Sequence, residues 1–140
     1  ALCDAIVYDK HGQAFPLASL CAGHAALIAL LQPGGEPTEH FLNELYDAYE
    51  RLSAVCRVVI VLPSSGSSSP AYVRFADKYG RIDTYIDADE VQEPLARAAF
   101  KEPGDYPLLF LIGGYPDCRF ASAGYSVGSV ELIIKLAALI

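Results

Sequence analysis

Three segments of the chain are apolar almost without interruption, which is the pattern of strands covered on both faces of a sheet. They span residues 24–31, 57–62 and 108–112. The second is rich in β-branched residues, which favours a strand over a helix. The pattern therefore predicts a buried sheet at the centre of the protein.

A helix is predicted from Pro37 or Thr38 to Ser53, because apolar residues recur there at steps of three and four. Proline suits the first turn of a helix, where its missing N–H loses no hydrogen bond. Glu36 and Glu39 lie near the positive end of the helix dipole, which favours negative charge. Several independent signals therefore indicate the same helix start.

The remaining elements alternate between strands and helices. Short strands are predicted over 5–8, 14–17, 82–86 and 118–121, and helices over 71–79, 90–100 and from 127 or 128 to 139. A turn-rich tetrad at 9–12 joins the first two strands into a hairpin. Alternation of this kind indicates parallel strands with right-handed crossovers, and the final hairpin makes the sheet mixed. We therefore predict a single α/β domain over residues 1–140, with a mixed central sheet, flanking helices and an N-terminal β-hairpin.

Composition narrows the range of partners. The 140 residues include 10 basic and 17 acidic side chains, a net charge of -7. This charge argues against nucleic acid and against an anionic membrane surface, because both bind basic faces. No apolar run approaches the roughly 20 residues that cross a bilayer, so membrane insertion is not predicted. The chain begins at Ala1 and contains no Met, and we therefore expect it to be part of a longer product.

The four cysteines show no metal-site spacing. Cys3, Cys21, Cys56 and Cys118 form no Cys-x-x-Cys pair, and no His stands at zinc-ligand spacing from them. We predict neither a metal nor another cofactor. Buried thiols that pack as small apolar groups are the first interpretation, and two disulfides are the alternative. Cys21 lies three residues before His24, but no third group is evident that would orient a nucleophilic pair.

The order of the elements resembles the thioredoxin-like superfamily. Residues 9–17 match the pattern D-x-x-G-x-x-F-x-L of the family's entry hairpin. The C-terminal part of the chain also matches the family, because Tyr106-Pro107 is followed by an apolar strand, a glycine turn, a return strand and a final helix. Within the superfamily the chain is similar to the branch of alkyl hydroperoxide reductase/thiol-specific antioxidant proteins and extracytoplasmic thiol–disulfide oxidoreductases. The resemblance implies a cis-proline at Pro107 and a peptide-binding groove formed with Tyr106.

The departure from the family pattern falls at its active-site loop. Where redox-active relatives have Cys-Gly-Pro-Cys, this chain has Gly35-Glu36-Pro37-Thr38, so we interpret residues Gly34 to Thr38 as a vestigial active-site loop. The Thr-x-x-Cys of peroxiredoxins is also missing, because no cysteine lies between Cys21 and Cys56. The residues that perform dithiol or peroxide chemistry in the family are therefore absent from this loop.

A narrower resemblance is carried by residues 32–40 (QPGGEPTEH) and 124–128 (GYSVG). These strings look like the thioredoxin-like domain at the C-terminal end of transglutaminase-like secreted proteins of Bacteroidetes. The resemblance implies an extracytoplasmic location and an origin in a larger chain, and any transglutaminase-type chemistry would lie upstream of Ala1.

Two functions follow as hypotheses. In the first, which the replacement of both cysteines favours, the chain is a non-catalytic module that contacts a protein or peptide, including other domains of its own chain. In the second it is a thiol–disulfide oxidoreductase or peroxidase whose redox pair has been relocated among Cys3, Cys21, Cys56 and Cys118. The candidate thiols at the site are Cys21, Cys56 and Cys118. His40, in the first turns of the helix, is interpreted as a surface or packing residue rather than a base.

Overall fold

In a computed structural model of the chain, the described residues form one sheet of seven strands with two helices packed against it. The structure describes residues 6–8, 12–16, 19, 23–31, 36–62, 74, 77–78, 83–87, 107–113, 118–124 and 126–139. The strands are β1 (Ile6–Tyr8), β2 (Ala14–Pro16), β3 (Ala26–Leu30), β4 (Arg57–Leu62), β5 (Asp83–Asp87), β6 (Leu108–Ile112) and β7 (Cys118–Ala123). The helices are α1 (Glu36–Ser53) and α2 (Ser129–Ala138).

The strand order across the sheet is β2-β1-β5-β4-β3-β6-β7. The central strands β3, β4 and β5 are parallel, because each crossover returns the chain to the same end of the sheet. The hairpin of β1 and β2 joins β5 in the antiparallel sense, and β6 and β7 continue the sheet beyond β3, also antiparallel. The predicted mixed α/β fold with an N-terminal hairpin is confirmed.

Strand β3 lies at the centre of the hydrophobic core. All five of its residues are buried, and its neighbours are β4 on one side and β6 on the other. Successive side chains of a strand point to opposite faces. Accordingly Leu27 packs on the face that α1 and α2 cover, and Ile28 packs on the opposite face with Val7 of the hairpin. Burial on both faces explains why this segment is apolar throughout.

Helices α1 and α2 lie on the same face of the sheet and contact each other through polar side chains as well as apolar ones. The Glu44 carboxylate of α1 accepts a hydrogen bond from the backbone N–H of Val130 at 3.2 Å. Further along, Arg51 donates from both guanidinium nitrogens to the Glu131 carboxylate, with Nη1 3.0 Å from Oε2. This hydrogen-bonded ion pair lowers the pKa of Glu131.

The predicted ends of several elements are wrong by one or two residues. β3 is shorter than predicted, α1 begins one residue early at Glu36, and β5 ends one residue late. β7 extends to Ala123, because pairing with Leu108 continues the ladder that far. α2 begins only at Ser129, since Gly128 has a φ of 84°, in the left-handed region. Within the predicted helix at 71–79, residues 74, 77 and 78 are helical, and the helix predicted at 90–100 lies outside the described residues.

Candidate functional site at the carboxyl edge of the sheet

The predicted site lies at one edge of the sheet, where the parallel strands end. The chain leaves β3 at this edge and enters α1, and β3 is also the point where the sheet order reverses. From β3 the chain continues to β4 on one side, whereas β6 adds to the other side. Open α/β sheets bind ligands outside the carboxyl ends of their strands at such reversal points.

The first turn of α1 occupies this edge and contains no thiol. Glu36 and Pro37 are exposed, whereas Thr38 is only 2% exposed. In the alignment that the resemblance suggests, Thr38 stands at the second cysteine of a Cys-x-x-Cys. A buried hydroxyl forms neither a disulfide nor a thiolate nucleophile. Gly34 and Gly35, the rest of the predicted loop, lie outside the described residues.

Pro107 lies beside the end of β3. It directly precedes β6, and the pairing of Leu30 with Leu108 places it next to Leu31 on the neighbouring strand. Pro107 is buried, and its carbonyl oxygen accepts a hydrogen bond from the N–H of Gly124 at 3.0 Å. The structure therefore brings Pro107 to the same edge of the sheet as the chain that enters α1. Tyr106, its predicted partner in the groove, lies outside the described residues, and the cis geometry stays a prediction.

His40 lies one turn into α1 and faces solvent. Its Nε2 is 3.2 Å from Oε1 of Glu36, and the two side chains are 54% and 85% exposed. Residues four apart on a helix meet in this way. This placement agrees with the interpretation of His40 as a surface residue, because a general base usually has a more enclosed position.

Among the candidate thiols, Cys56 is described in full. It is a free thiol, 6% exposed, between the end of α1 and the start of β4. Burial raises its pKa to about 11, and a hydrogen bond with the backbone of Leu27 opposes this only in part. At neutral pH the group is therefore a protonated thiol, and it is a poor nucleophile.

The other cysteines are described less fully. Cys118 begins β7 opposite Ile112, so its backbone lies on the closing hairpin as predicted, but its side chain is outside the described residues. Cys3 and Cys21 also lie outside them. Within the described part of the chain, no three side chains of His, Cys, Asp or Glu come together as a metal site.

A cluster of cation–π contacts and a hydrogen bond on α1 could not be predicted from local sequence patterns. The Arg74 guanidinium lies 4.1 Å from the centre of the Tyr46 ring, and the Lys78 ammonium lies 4.6 Å from it. Arg74 also donates a hydrogen bond to Oδ1 of Asn43 at 3.1 Å. The spacing of Arg74 and Lys78, four residues apart, was the available signal for two cations on one helical face.

The class of protein follows from this architecture, because a crossover β3-α1-β4 and a closing antiparallel pair β6-β7 with two helices on one face define the thioredoxin-like fold. Solved structures with this fold match almost the whole chain. One is assigned as the thiol:disulfide interchange protein DsbE of Chlorobium tepidum, with a TM-score of 0.70, 18% identity, and 98% of this chain and 94% of that chain covered.

Two further structures extend the comparison. A secreted Mycobacterium tuberculosis disulfide oxidoreductase homologous to E. coli DsbE matches with a TM-score of 0.67 and 15% identity, over 99% of this chain and 98% of that one. An uncharacterized thioredoxin-like protein of Porphyromonas gingivalis matches with a TM-score of 0.64 and 19% identity, over 98% and 90%. No protein-family model and no curated protein matches the chain. At these identities the likeness establishes the fold, and function has to be argued from the residues.

Proposed function

We propose that the protein is a non-catalytic thioredoxin-like module that contacts a protein or peptide within a larger extracytoplasmic protein. The observation that carries the proposal is the first turn of α1, where Glu36, Pro37 and Thr38 supply no sulfur atom. Other domains of the same chain are included among the candidate partners.

The chemistry of the fold explains why this observation matters. A thiol at a helix N-terminus becomes a thiolate at neutral pH, because the helix dipole and the unpaired N–H groups stabilise the negative charge. Thr38 has a hydroxyl in the first turn, and a hydroxyl is not ionised there at neutral pH. Cys56 does not replace the lost thiol, since it is 6% exposed and its pKa is raised to about 11.

The same edge of the sheet retains features that suit a peptide. The backbone of Tyr106, before Pro107, would pair with an extended chain in the manner of an added β-strand. The N–H groups at the start of α1 are further donors. Glu36 and Glu39 make the helix start acidic, which opposes a phosphate or another small anion. We therefore favour a peptide or a protein domain as the ligand.

The proposed location rests on the similar structures and on the narrower resemblance. One of those proteins is described as secreted, and another is an exposed lipoprotein thioredoxin of Streptococcus pneumoniae. Within the described residues, no helix has the length and apolar character needed to span a bilayer. The resemblance of residues 32–40 and 124–128 to a domain of transglutaminase-like secreted proteins supports an origin in a larger chain.

A thiol–disulfide oxidoreductase with relocated cysteines is the second candidate. It is favoured by the names of the similar structures, which are thiol–disulfide interchange proteins and disulfide oxidoreductases. Its redox pair would be drawn from Cys3, Cys21 and Cys118, because Cys56 is buried and protonated.

Alkylation of the native protein separates the two candidates. The protein is treated with iodoacetamide at neutral pH, with and without prior reductant, and the modified cysteines are counted and mapped by mass spectrometry. The non-catalytic module requires that no thiol reacts fast and that no pair opens with a mild reductant. A fast thiol, or a pair that cycles, would make the relocated redox centre the better explanation.

Amide chemical shifts test the contact itself. A set of extended peptides is titrated into the isotope-labelled protein. We expect the largest changes at Leu31, Thr38 and the residues after Pro107, with no change at the solvent-facing side of α2. Chemical-shift changes spread over other surfaces would contradict the groove as the contact site. The absence of any change with every peptide tested would contradict it as well.

A further inference from the structure

The edge of the sheet that forms the candidate site has acidic residues on two different elements. Glu36 and Glu39 lie in the first turn of α1, and Asp87 is the last residue of β5. Strands β3, β4 and β5 are parallel, so β5 ends at the same edge as β3. The two strands are separated by β4, which puts their ends about 10 Å apart across the sheet. The acidic residues of α1 and β5 therefore belong to one edge of the molecule.

The lysines and arginines that the structure describes lie away from this edge. They are Arg51, Arg57, Arg74, Lys78, Arg119 and Lys135. Arg51 in the last turn of α1 and Arg57 at the start of β4 mark the opposite edge of the sheet. Arg74 contacts Asn43, about 10 Å along α1 from Glu36. Within the described ranges, no lysine or arginine stands in the first turn of α1 or at a strand end of the carboxyl edge.

The negative charge at this edge outweighs the helix dipole. The N-terminus of a helix is equivalent to about half a positive charge, which is less than the charge of the Glu36 and Glu39 carboxylates together. Glu36 is 85% exposed, and its contact is with His40, which is neutral in the net charge of -7. A ligand that approaches the start of α1 therefore meets a negative potential, and the net charge of the whole chain has the same sign.

We propose that the partner at this edge is a cationic peptide segment, whose lysine or arginine side chains face the start of α1. The inference rests on the proposed peptide contact and adds the charge of the partner. Successive side chains of an extended peptide alternate in direction, so basic residues at every second position present their charges to one side. Such a segment approaches Glu36 with complementary charge, whereas an acidic segment is repelled.

The charge should select between peptides without dominating the affinity. Because Glu36 is exposed, an ion pair with it changes the affinity by up to about fivefold. Salt screens such a pair, since the Debye length falls from about 10 Å at 0.1 M to about 3 Å at 1 M. A preference for basic peptides that fades with added salt is therefore the expected signature, and backbone pairing accounts for the remaining affinity.

Three extended peptides of equal length test the proposal, with lysine, glutamine or glutamate at every second position. Each is titrated into the isotope-labelled protein at neutral pH and low salt, and the dissociation constant is taken from the amide shifts of Leu31 and Thr38. We expect the lysine peptide to bind about threefold more tightly than the glutamine peptide, and the glutamate peptide to bind most weakly. Glu36→Gln should bring the ratio of the lysine and glutamine peptide affinities toward one. Glu50→Gln, the same change at an exposed position near the other end of α1, should keep it.

The outcomes separate the charge of the partner from the contact itself. Equal affinities for the three peptides would overturn the cationic partner and leave the peptide contact standing. A preference for lysine that neither 1 M salt nor Glu36→Gln reduces would overturn it too, because the preference would then not come from this acidic edge. The absence of shifts with every peptide would remove the contact, and the charge preference with it.

Discussion

At the scale of single residues, the chemistry of the candidate site is decided by what Thr38 and Cys56 cannot do. Both are buried, Thr38 in the first turn of α1 and Cys56 just beyond the opposite end of that helix. Thr38 stands where the resemblance would place the second cysteine of the family, but it has no sulfur atom. Cys56 has the sulfur, but burial keeps it protonated. The presence of a cysteine, or of the fold, is therefore not sufficient for thiolate chemistry.

Cys56 should make the stability of the protein fall at alkaline pH. An unfolded thiol ionises near its ordinary pKa of 9.0, whereas the folded thiol holds its proton up to about 11. Between these values the unfolded state binds fewer protons than the folded state, so rising pH favours unfolding. We expect a loss of about 2 kcal/mol in the free energy of unfolding over this range.

Urea denaturation from neutral pH to about pH 11 measures this effect, and Cys56→Ala is the control. The variant lacks the thiol but keeps all other titrating groups, so the difference between the two pH profiles isolates Cys56. If the pH profiles of stability of the wild type and Cys56→Ala run parallel, the thiol has the same pKa in the folded and unfolded states, which contradicts the prediction.

Cysteines placed in the loop should restore a redox-active pair. The double variant Gly35→Cys/Thr38→Cys should form a disulfide within the loop that a mild reductant opens, because the N-terminus of α1 stabilises a thiolate at its start. Mass spectrometry of proteolytic fragments identifies the bond, and each single variant controls for pairing with native cysteines. A folded double variant that forms no such bond would show that the loop does not hold the thioredoxin-type geometry.

At the scale of elements, α2 depends on α1 for the capping of its first turn. The residue before α2 is Gly128, which supplies no side chain to cap the helix. Glu44 of α1 performs this role by accepting the hydrogen bond of Val130, and a carboxylate is also favoured at a helix N-terminus. The apolar period of α2 predicts the helix, but no local pattern predicts a cap that lies 86 residues away in the chain.

Glu44→Ala should lower the free energy of unfolding by about 1 kcal/mol, the usual cost of a lost N-cap. Glu44→Gln should cost less, because the amide oxygen still accepts the hydrogen bond and only the charge is lost. Chemical denaturation measures both, with Glu50→Ala on the same helix as the exposed control. Equal stability of the alanine variant and the wild type would contradict the capping role.

At the scale of the whole molecule, the sheet could be predicted because its strands have distinct patterns. The unbroken apolar segments became the buried strands β3, β4 and β6, and the turn at 9–12 joined β1 and β2. The end of β7 and the start of α2 were predicted less accurately. Pairing with β6 determines where β7 ends, and the left-handed conformation of Gly128 determines where α2 begins. The proximity of Pro107 to Leu31 depends on the pairing of strands that are far apart in the sequence. Local patterns contain no information about this pairing, and it was expected only because of the resemblance to the thioredoxin-like fold.

Ile28→Ala tests the central place of β3. The side chain is 1% exposed and packs with Val7, Val59 and Phe110 on the face of the sheet opposite α1 and α2, so its removal leaves a cavity. We expect a loss of about 2–5 kcal/mol in the free energy of unfolding. Leu132→Ala, at an exposed position, should change the free energy of unfolding little. Similar effects of the two substitutions would contradict the assigned core.

The placement of β3 between β4 and β6 also has a consequence for how the chain folds during its synthesis. Ile28 pairs with Val59, which is made soon afterwards, but its other neighbour, Phe110, is translated only after β4 and β5. At about 5–20 residues per second, a ribosome needs several seconds to bridge that gap. During this time the most apolar strand of the nascent chain has one hydrogen-bonding edge without its native neighbour. Release of the chain before β6 is made would therefore leave an incomplete, aggregation-prone sheet. A chaperone that shields this edge would have to bind between the synthesis of β4 and that of β6.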